Sequence, residues 1–414
     1  GFATHETTAN QHGKDEDIPG RSGFTPNLIL SRSRTKARDS RTKARTAHRK
    51  AKHYSKERTS MQQAAIPILA SIYHLRLHEH PGCSPPGCGA ELASDQRSAA
   101  HSWVARQAVT SSIILLKNDG NVLPLEPATT PVLAVLGMAA NATPSLLGQD
   151  YYSGGGPGHV PVLNVTTPLE AIMQRAAKAG IRIVDDLKSA SVCVVIVGAT
   201  AGDGEDRKDL AVDGEPDILQ AAESCAKTVV LMQTPGPVLT PWREKVAAVA
   251  NLFLGGEETA NAWAAVLFGD VSPSGKLPIS MPASAADATR SPNLRAAYPF
   301  GYGLSYASFK VENLNESTCN SVTCILVNVV NTHTKFAGRE TVQAYTRFRP
   351  EVGEPRMLLK SWAKTGVLKP GASEEVRLMF HGWVPQPGAE VQIGFSSKDI
   401  RHTVTFNQTL NQTL

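Results

Sequence analysis

The sequence has no apolar run approaching the roughly 18 residues that a membrane-spanning helix needs, which excludes a helical membrane span. Cysteine is sparse, six among 414 residues, and none of the six has metal-ligating companions, so no metal is expected. No glycine cluster ends in the Gly-Lys-Ser/Thr of a phosphate-cradling loop: Gly154-Gly155-Gly156-Pro157-Gly158 runs into His159-Val160 instead. The dinucleotide fingerprint is missing too, because its glycines open a helix, whereas Val160-Pro161-Val162-Leu163 reads as extended. No cofactor is therefore expected. What is present, 41% hydrophobic residues with 33 Gly and 27 Pro, suits a turn-rich globular protein mixing strands and helices, and the length allows two or three domains.

The net charge of +5 is unevenly placed. Residues 1–59 carry 14 Lys/Arg against 6 Asp/Glu, whereas residues 60–414 carry 28 against 31. Ser33-Arg34-Thr35-Lys36-Ala37-Arg38 recurs as Ser40-Arg41-Thr42-Lys43-Ala44-Arg45, and large apolar side chains are nearly absent up to Arg58. Residues 1–59 are thus expected to be a disordered, solvated basic tail. Nucleic acid is not an expected partner, since only Tyr54 interleaves the basic run and a stacking platform needs several aromatics. Gly1-Phe2-Ala3-Thr4-His5 is neither an initiator methionine nor an apolar leader, which predicts a natural N-terminus further upstream.

The cysteines fall as Cys83 with Cys88, Cys193 with Cys225, and Cys319 with Cys324. In the first and third sets four turn-rich residues separate the sulfurs, a spacing suited to a short disulfide loop. Tripeptides beginning at Asn141, Asn164, Asn315, Asn407 and Asn411 fit the N-glycosylation pattern. Together these features point to an extracellular or secretory location.

Ile66, Ile68, Leu69, Ile72, Tyr73 and Leu75 have near-helical spacing, predicting an amphipathic helix over residues 60–80. A second helix is expected over 99–111, running into the strand-like Ile113-Ile114-Leu115-Leu116. Apolar runs at 132–136, 181–184, 192–197, 228–233 and 249–254 read as buried strands, and 168–179, 217–225, 242–248 and 258–268 as helices. That alternation predicts a doubly wound, mainly parallel open sheet, an α/β fold whose ligands sit beyond the carboxyl ends of the strands.

Those ends carry the chemistry. Gly155 and Gly156 suit a rim that lets backbone approach a polar ligand; a plain flexible loop is the alternative. Asp203, Glu205, Asp206 and Arg207 place three carboxylates beside a guanidinium, a set able to hydrogen-bond sugar hydroxyls, with one protonated carboxyl acting as general acid in glycoside cleavage. A solvated charged loop is the alternative here. After residue 268 the pattern changes: runs at 309–313, 323–330, 341–347, 358–367, 374–380, 389–395 and 401–406 read as seven strands with turn signals and no helix between them, an immunoglobulin-like all-β sandwich packed against the preceding domain.

Leu115-Leu116-Lys117-Asn118-Asp119-Gly120-Asn121-Val122-Leu123-Pro124-Leu125, Asp206-Arg207 with Leu210, Pro241-Trp242, the run from Leu267 to Pro278, and Pro299-Phe300-Gly301-Tyr302-Gly303-Leu304-Ser305-Tyr306 occur in an order that resembles glycoside hydrolase family three, the β-glucosidase and β-xylosidase family. The resemblance spans about residues 100–405. It implies an α/β sandwich over 99–290, a linker over 291–308 and a fibronectin type III-like domain over 309–414, with 60–98 as the remnant of a barrel-terminal helix and its linker. It further implies a retaining mechanism in which a preceding barrel supplies a nucleophilic Asp from a Ser-Asp-Trp motif and the second domain supplies the acid/base carboxyl. Ser94-Asp95-Gln96 does not match the nucleophile motif, so this chain is expected to be nearly inactive alone on a β-linked glucoside or oligosaccharide; a noncatalytic carbohydrate-binding descendant is the other reading. Relatives read Glu-Gly-x-Asp-Arg, which places Asp203 at the Glu position and Glu205 at the variable one, leaving both as acid/base candidates. Leu254-Gly255-Gly256-Glu257 likewise departs from the family's Pro-Gly-Gln-Glu.

Overall fold

The computed structural model describes residues 60–79, 88–92, 94–145, 148–156, 159–160, 162, 165–204, 206–288, 295–320, 322–348, 357–383, 385 and 388–406. The basic tail, Cys83, Glu205 and the acceptor residues Asn164, Asn407 and Asn411 lie outside them. The chain divides into two units, Gly1–Gln96 and Arg97–Leu414. In the first, residues 60–74 are helical as expected, and Ile66, Ile68, Leu69 and Tyr73 are solvent-exposed on it. Cys88 is disulfide-bonded.

The second unit opens with α1 (Ala99–Ser112), N-capped by the Ser98 hydroxyl, which accepts from the His101 amide. The strands β1 (Ile114–Asn118), β2 (Val132–Leu136), β3 (Arg182–Ile183), β4 (Val192–Gly198), β5 (Thr228–Thr234) and β6 (Ala248–Phe253) form one sheet in the order β1-β6-β5-β4-β2-β3. β2 to β6 are mutually parallel; β1 closes the β6 edge antiparallel. Between β2 and β3 lies α2 (Pro168–Ala179). Its ends are written locally: Thr167 and Glu170 form a reciprocal capping box, Pro168 occupies the first turn, and Gly180 ends the helix at φ +74°. The crossover from β4 to β5 carries α3 (Glu215–Ser224), and α4 (Thr259–Leu267) follows β6.

Helices cover both faces, so the central strands are apolar throughout. Along β4, Val192, Val194 and Ile196 join the core shared with Ile172 of α2 and Trp263 of α4, while Cys193, Val195 and Val197 join the core shared with Ile218 of α3 and Trp242. This is the two-residue period of a strand read on both sides. Each such fully buried Val or Ile contributes roughly 1.5–3 kcal/mol. Cys193 at the start of β4 is disulfide-bonded to Cys225, the residue that ends α3, a bridge across 32 residues that joins strand to helix.

One expected helix is not formed. Residues 242–248 contain a single 3₁₀ turn, Arg243–Lys245, and Val246 is already extended at φ −120°, ψ 150°. Trp242 is buried beneath the sheet and Ala248 pairs with Val229, so strand pairing with β5 leaves no length for a helix.

Met281–Pro282 (β7) and Ala296–Tyr298 (β8) form a small ribbon, and the chain then enters the sandwich. Its strands are β9 (Phe309–Cys319), β10 (Val322–Asn331), β11 (Thr341–Arg347), β12 (Met357–Lys364), β13 (Ser373–Met379), β14 (Glu390–Gly394) and β15 (Ile400–Thr405). They form sheets ordered β13-β10-β9 and β12-β11-β14-β15, enclosing Ile325, Val327, Val342, Leu378, Phe380 and Ile393. Cys319 and Cys324 are disulfide-bonded, closing the β9–β10 hairpin tip as their spacing suggested. The segment between the domains is bonded on both sides: Gly301 N–H donates to Leu277 O (2.8 Å) and Leu304 N–H to Leu115 O (2.7 Å), while Gln343 Nε2 donates to Gly301 O (3.0 Å). Lys276 Nζ, 2.7 Å from Glu340 Oε1, adds a nearly buried ion pair across the junction.

Candidate functional site

The parallel strands run in the spatial order β3-β2-β4-β5-β6, so the order in which successive strands are added reverses between β2 and β4. In open α/β sheets the crevice beyond the carboxyl ends of the strands at such a reversal is where ligands bind. Here that crevice is walled by the described residues after β2, 137–145, 148–156 and 159–160, and by those after β4, 199–204 and 206–213. These carry the glycine cluster and the carboxylate cluster respectively.

The two walls touch through backbone. Gly155 N–H donates to Ala201 O at 2.9 Å. Gly156 sits at φ +84°, and a Cβ built on it would lie 2.4 Å from the Asp203 Cβ; one on Gly155 would lie 2.6 Å from the Gln149 Cγ. The glycines therefore let the first loop press against the second and seat Asp203 beside it. Gln149 fills the space next to them, its Nε2 2.6 Å from where a Cβ on Gly202 would stand.

Polar side chains hold the first loop in shape. Buried Asp150 accepts from the Ser145, Tyr152 and Ser153 amides at 3.0, 2.9 and 2.7 Å. Three donors on one carboxylate compensate its removal from water. His159 spans the loop base, with Nδ1 2.8 Å from Ser153 Oγ and Nε2 3.0 Å from Ser145 O. Tyr151 packs against Gly198 at the end of β4 and donates through its hydroxyl to Asp213 Oδ2 at 2.9 Å. Burial, then the bond to Asp213, pushes the Tyr151 pKa well above its ordinary value, so it stays a donor at neutral pH.

Arg207 directs its guanidinium to Pro237 O (3.1 Å) and Ala211 O (2.8 Å), clamping the second loop to the turn after β5. It still lines an open cleft of about 350 Å³ with Gln149, Thr200, Asp206, Lys208 and Asp213. Asp203 and Asp206 are both exposed. Glu205 lies outside the described residues. The cleft thus offers the exposed carboxylates of Asp206 and Asp213, the Lys208 ammonium and the Gln149 amide, groups of the kind that bind a polyhydroxylated ligand, whereas Asp203, Gly155 and Gly156 stand outside its lining. A general acid works best shielded from bulk water, and this side of the crevice alone gives Asp203 no such shield.

Next to this crevice, the turn after β6 is fixed to α1. Arg106 Nε is 2.8 Å from Glu258 Oε2, Glu258 is buried, and Gly256 N–H donates to Tyr152 O at 2.9 Å. Gln149, Asp150, Tyr151, His159 and Asp213 were not singled out from the sequence. Only the run Gln149-Asp150-Tyr151-Tyr152 ahead of a glycine cluster hinted at an Asp-nucleated turn.

Residues 113–306 match the glycosyl hydrolase family 3 C-terminal domain. Among curated proteins, the chain is 29% identical over 374 residues to an exo-α-(1→6)-L-arabinopyranosidase of Bifidobacterium longum, covering 74% of this chain and 48% of that protein. It is 30% identical to a β-xylosidase of Formosa agariphila, covering 76% and 49%. Among solved structures, a β-glucosidase of Chaetomella raphigera aligns with a TM-score of 0.66 at 25% identity, over 75% of this chain and 55% of that one. The chain thus spans about half the length of the curated relatives it matches. The sheet and its two-walled crevice thus lie within residues 113–306, the part of the chain that matches the C-terminal domain of glycosyl hydrolase family 3.

Proposed function

We propose that this chain supplies the loop wall and the acid/base carboxyl of a retaining β-glycosidase that acts on β-linked glucosides or related oligosaccharides, with the nucleophile delivered by a separate barrel domain. The carrying observation is the seating of Asp203 against Gly156 at the point where strand order reverses. Retaining cleavage needs two carboxyl groups about 5–5.5 Å apart on opposite sides of the anomeric carbon, one attacking and one protonating the leaving oxygen. Asp203 and Asp206 share one loop, an arrangement that suits a single role for that loop. The exposure of Asp203 fits a half-site completed by a facing wall. Relatives named for three different sugars leave the glycone open, and β-glucoside is the choice favoured by the structural likeness.

The test pairs turnover with binding. The chain alone should show no measurable hydrolysis of 4-nitrophenyl β-D-glucopyranoside, while saturation-transfer NMR should detect weak binding of glucose that Asp206→Ala removes. Turnover of roughly 1–1000 per second by the chain alone would overturn the separate-nucleophile reading. In that event, loss of activity in Asp203→Asn or in Glu205→Gln would identify the acid/base group. Glucose binding without any activity when a family barrel is supplied would favour a noncatalytic carbohydrate-binding role, and failure to bind any sugar would remove both.

A further inference from the structure

A second cavity, about 740 Å³, lies between the sheet domain and the sandwich; its lining reaches Leu254, which packs against Gly154 of the first crevice loop, but includes no residue of the 350 Å³ cleft. Its floor is made by a register fault. Trp362 pairs with Gln343 and Lys364 with Thr341, but between Ala344 and Tyr345 the pairing skips Lys360, so that Leu359 falls opposite Tyr345. Without the bulge, Leu359 would face the sandwich core; with it, Leu359, Trp362 and Lys364 share the outward face of β12. The opposite wall is apolar, built from Val109 of α1 and Leu252 of β6.

Lys364 is the unusual lining group. Its Nζ donates to Ser111 O at 3.3 Å, and no carboxylate lies within ion-pairing distance of it among the described residues. Of the charged groups acting on it, Arg339 and Lys276 are cationic. Glu340 is anionic, but its carboxylate already holds Lys276 at 2.7 Å. Burial foremost, then Arg339, brings the Lys364 ammonium down to about 8. The site therefore joins an exposed indole, aliphatic walls and a cation lacking its counter-ion among the described residues, within the size range of small-molecule pockets.

We propose that this junction groove binds a small aryl carboxylate, with the ring against Trp362 and Leu359 and the carboxylate on the Lys364 ammonium. Charge complementarity selects the ligand: an anion completes the pair that the fold leaves open, and a hydrogen bond to a charged group in a partly dehydrated site favours the acid over its neutral isostere about tenfold or more. The proposal is independent of glycosidase activity, because none of the crevice residues lines the groove.

Calorimetric titration of the full chain with 3-phenylpropanoate and with 3-phenylpropan-1-ol tests it. At pH 7 the acid should bind at least about tenfold tighter than the alcohol. Lys364→Met should erase that difference, Lys364→Arg should retain most of it, and Trp362→Ala should weaken both ligands in parallel. Saturating glucose should change none of these. If Lys364→Met does not fold, the wild-type chain at pH 10.5 serves instead: deprotonation of Lys364 should abolish the preference, because only the ammonium form pairs with the acid. Equal binding of acid and alcohol at pH 7, or no binding of either at millimolar concentration, would overturn the proposal.

Discussion

Substituting Gly156 by Ala tests whether the crevice walls are locked together as described. Two penalties add at this position. At φ +84° an alanine carries the left-handed cost of roughly 1–2 kcal/mol. Its Cβ also arrives 2.4 Å from the Asp203 Cβ and 2.9 Å from the Asp203 amide nitrogen, where carbon atoms rest at about 3.5–4.0 Å, so the second loop must retreat by about 1 Å. Gly204 separates the two effects. It has nearly the same backbone, φ +82°, with nothing within 4 Å of a Cβ, so Gly204→Ala carries the strain without the collision. Hydrogen exchange resolved by peptide over residues 199–213 reads the outcome. Gly204→Ala should speed exchange by about tenfold and Gly156→Ala by a further order of magnitude, with little change in the sheet itself. Adding Asp203→Gly to Gly156→Ala should recover part of the loss, since the Cβ collision disappears. Equal exchange in the two alanine variants would refute the contact between the walls.

Two further perturbations address the frame. Lys276 and Glu340 are nearly buried, and Glu340 also accepts from the Thr341 amide at 2.7 Å, so Glu340→Leu alone should cost about 3 kcal/mol in urea unfolding, whereas the double change with Lys276→Met should restore most of it; a double variant as unstable as the single would contradict the pairing. Opening the Cys193–Cys225 bridge by replacing both residues with Ala should cost about 3–4 kcal/mol, the loop-entropy expectation for its 32-residue separation, and an unchanged melting temperature would count against the bridge.

How far the chain was readable from its residues varied with the range of the forces involved. α2 was located to the residue because Thr167, Pro168, Glu170 and Gly180 act within one turn of the helix they bound. β4 and β5 were found because a strand covered on both faces must be apolar throughout. The stretch 242–248 was misread as a helix because its fate depends on pairing with β5, which local pattern does not encode. The Cys193–Cys225 bridge is of the same kind, decided by the docking of α3 on β4 across 32 residues. In the crevice, the glycines and Asp203 were each visible as unusual local sequence. That one exists to make room for the other was not, because 47 positions separate Gly156 from Asp203.

The doubly bonded passage from residue 296 to 304 has a mechanical meaning. A tether free on both sides would let sheet and sandwich swivel; here each carbonyl and amide of Gly301 is gripped, one by each domain. The pair behaves as a single anvil. Any motion at the strand ends falls to the short glycine and aspartate arms there, whose own contact is backbone against backbone, Gly155 N–H to Ala201 O, so they travel together or not at all.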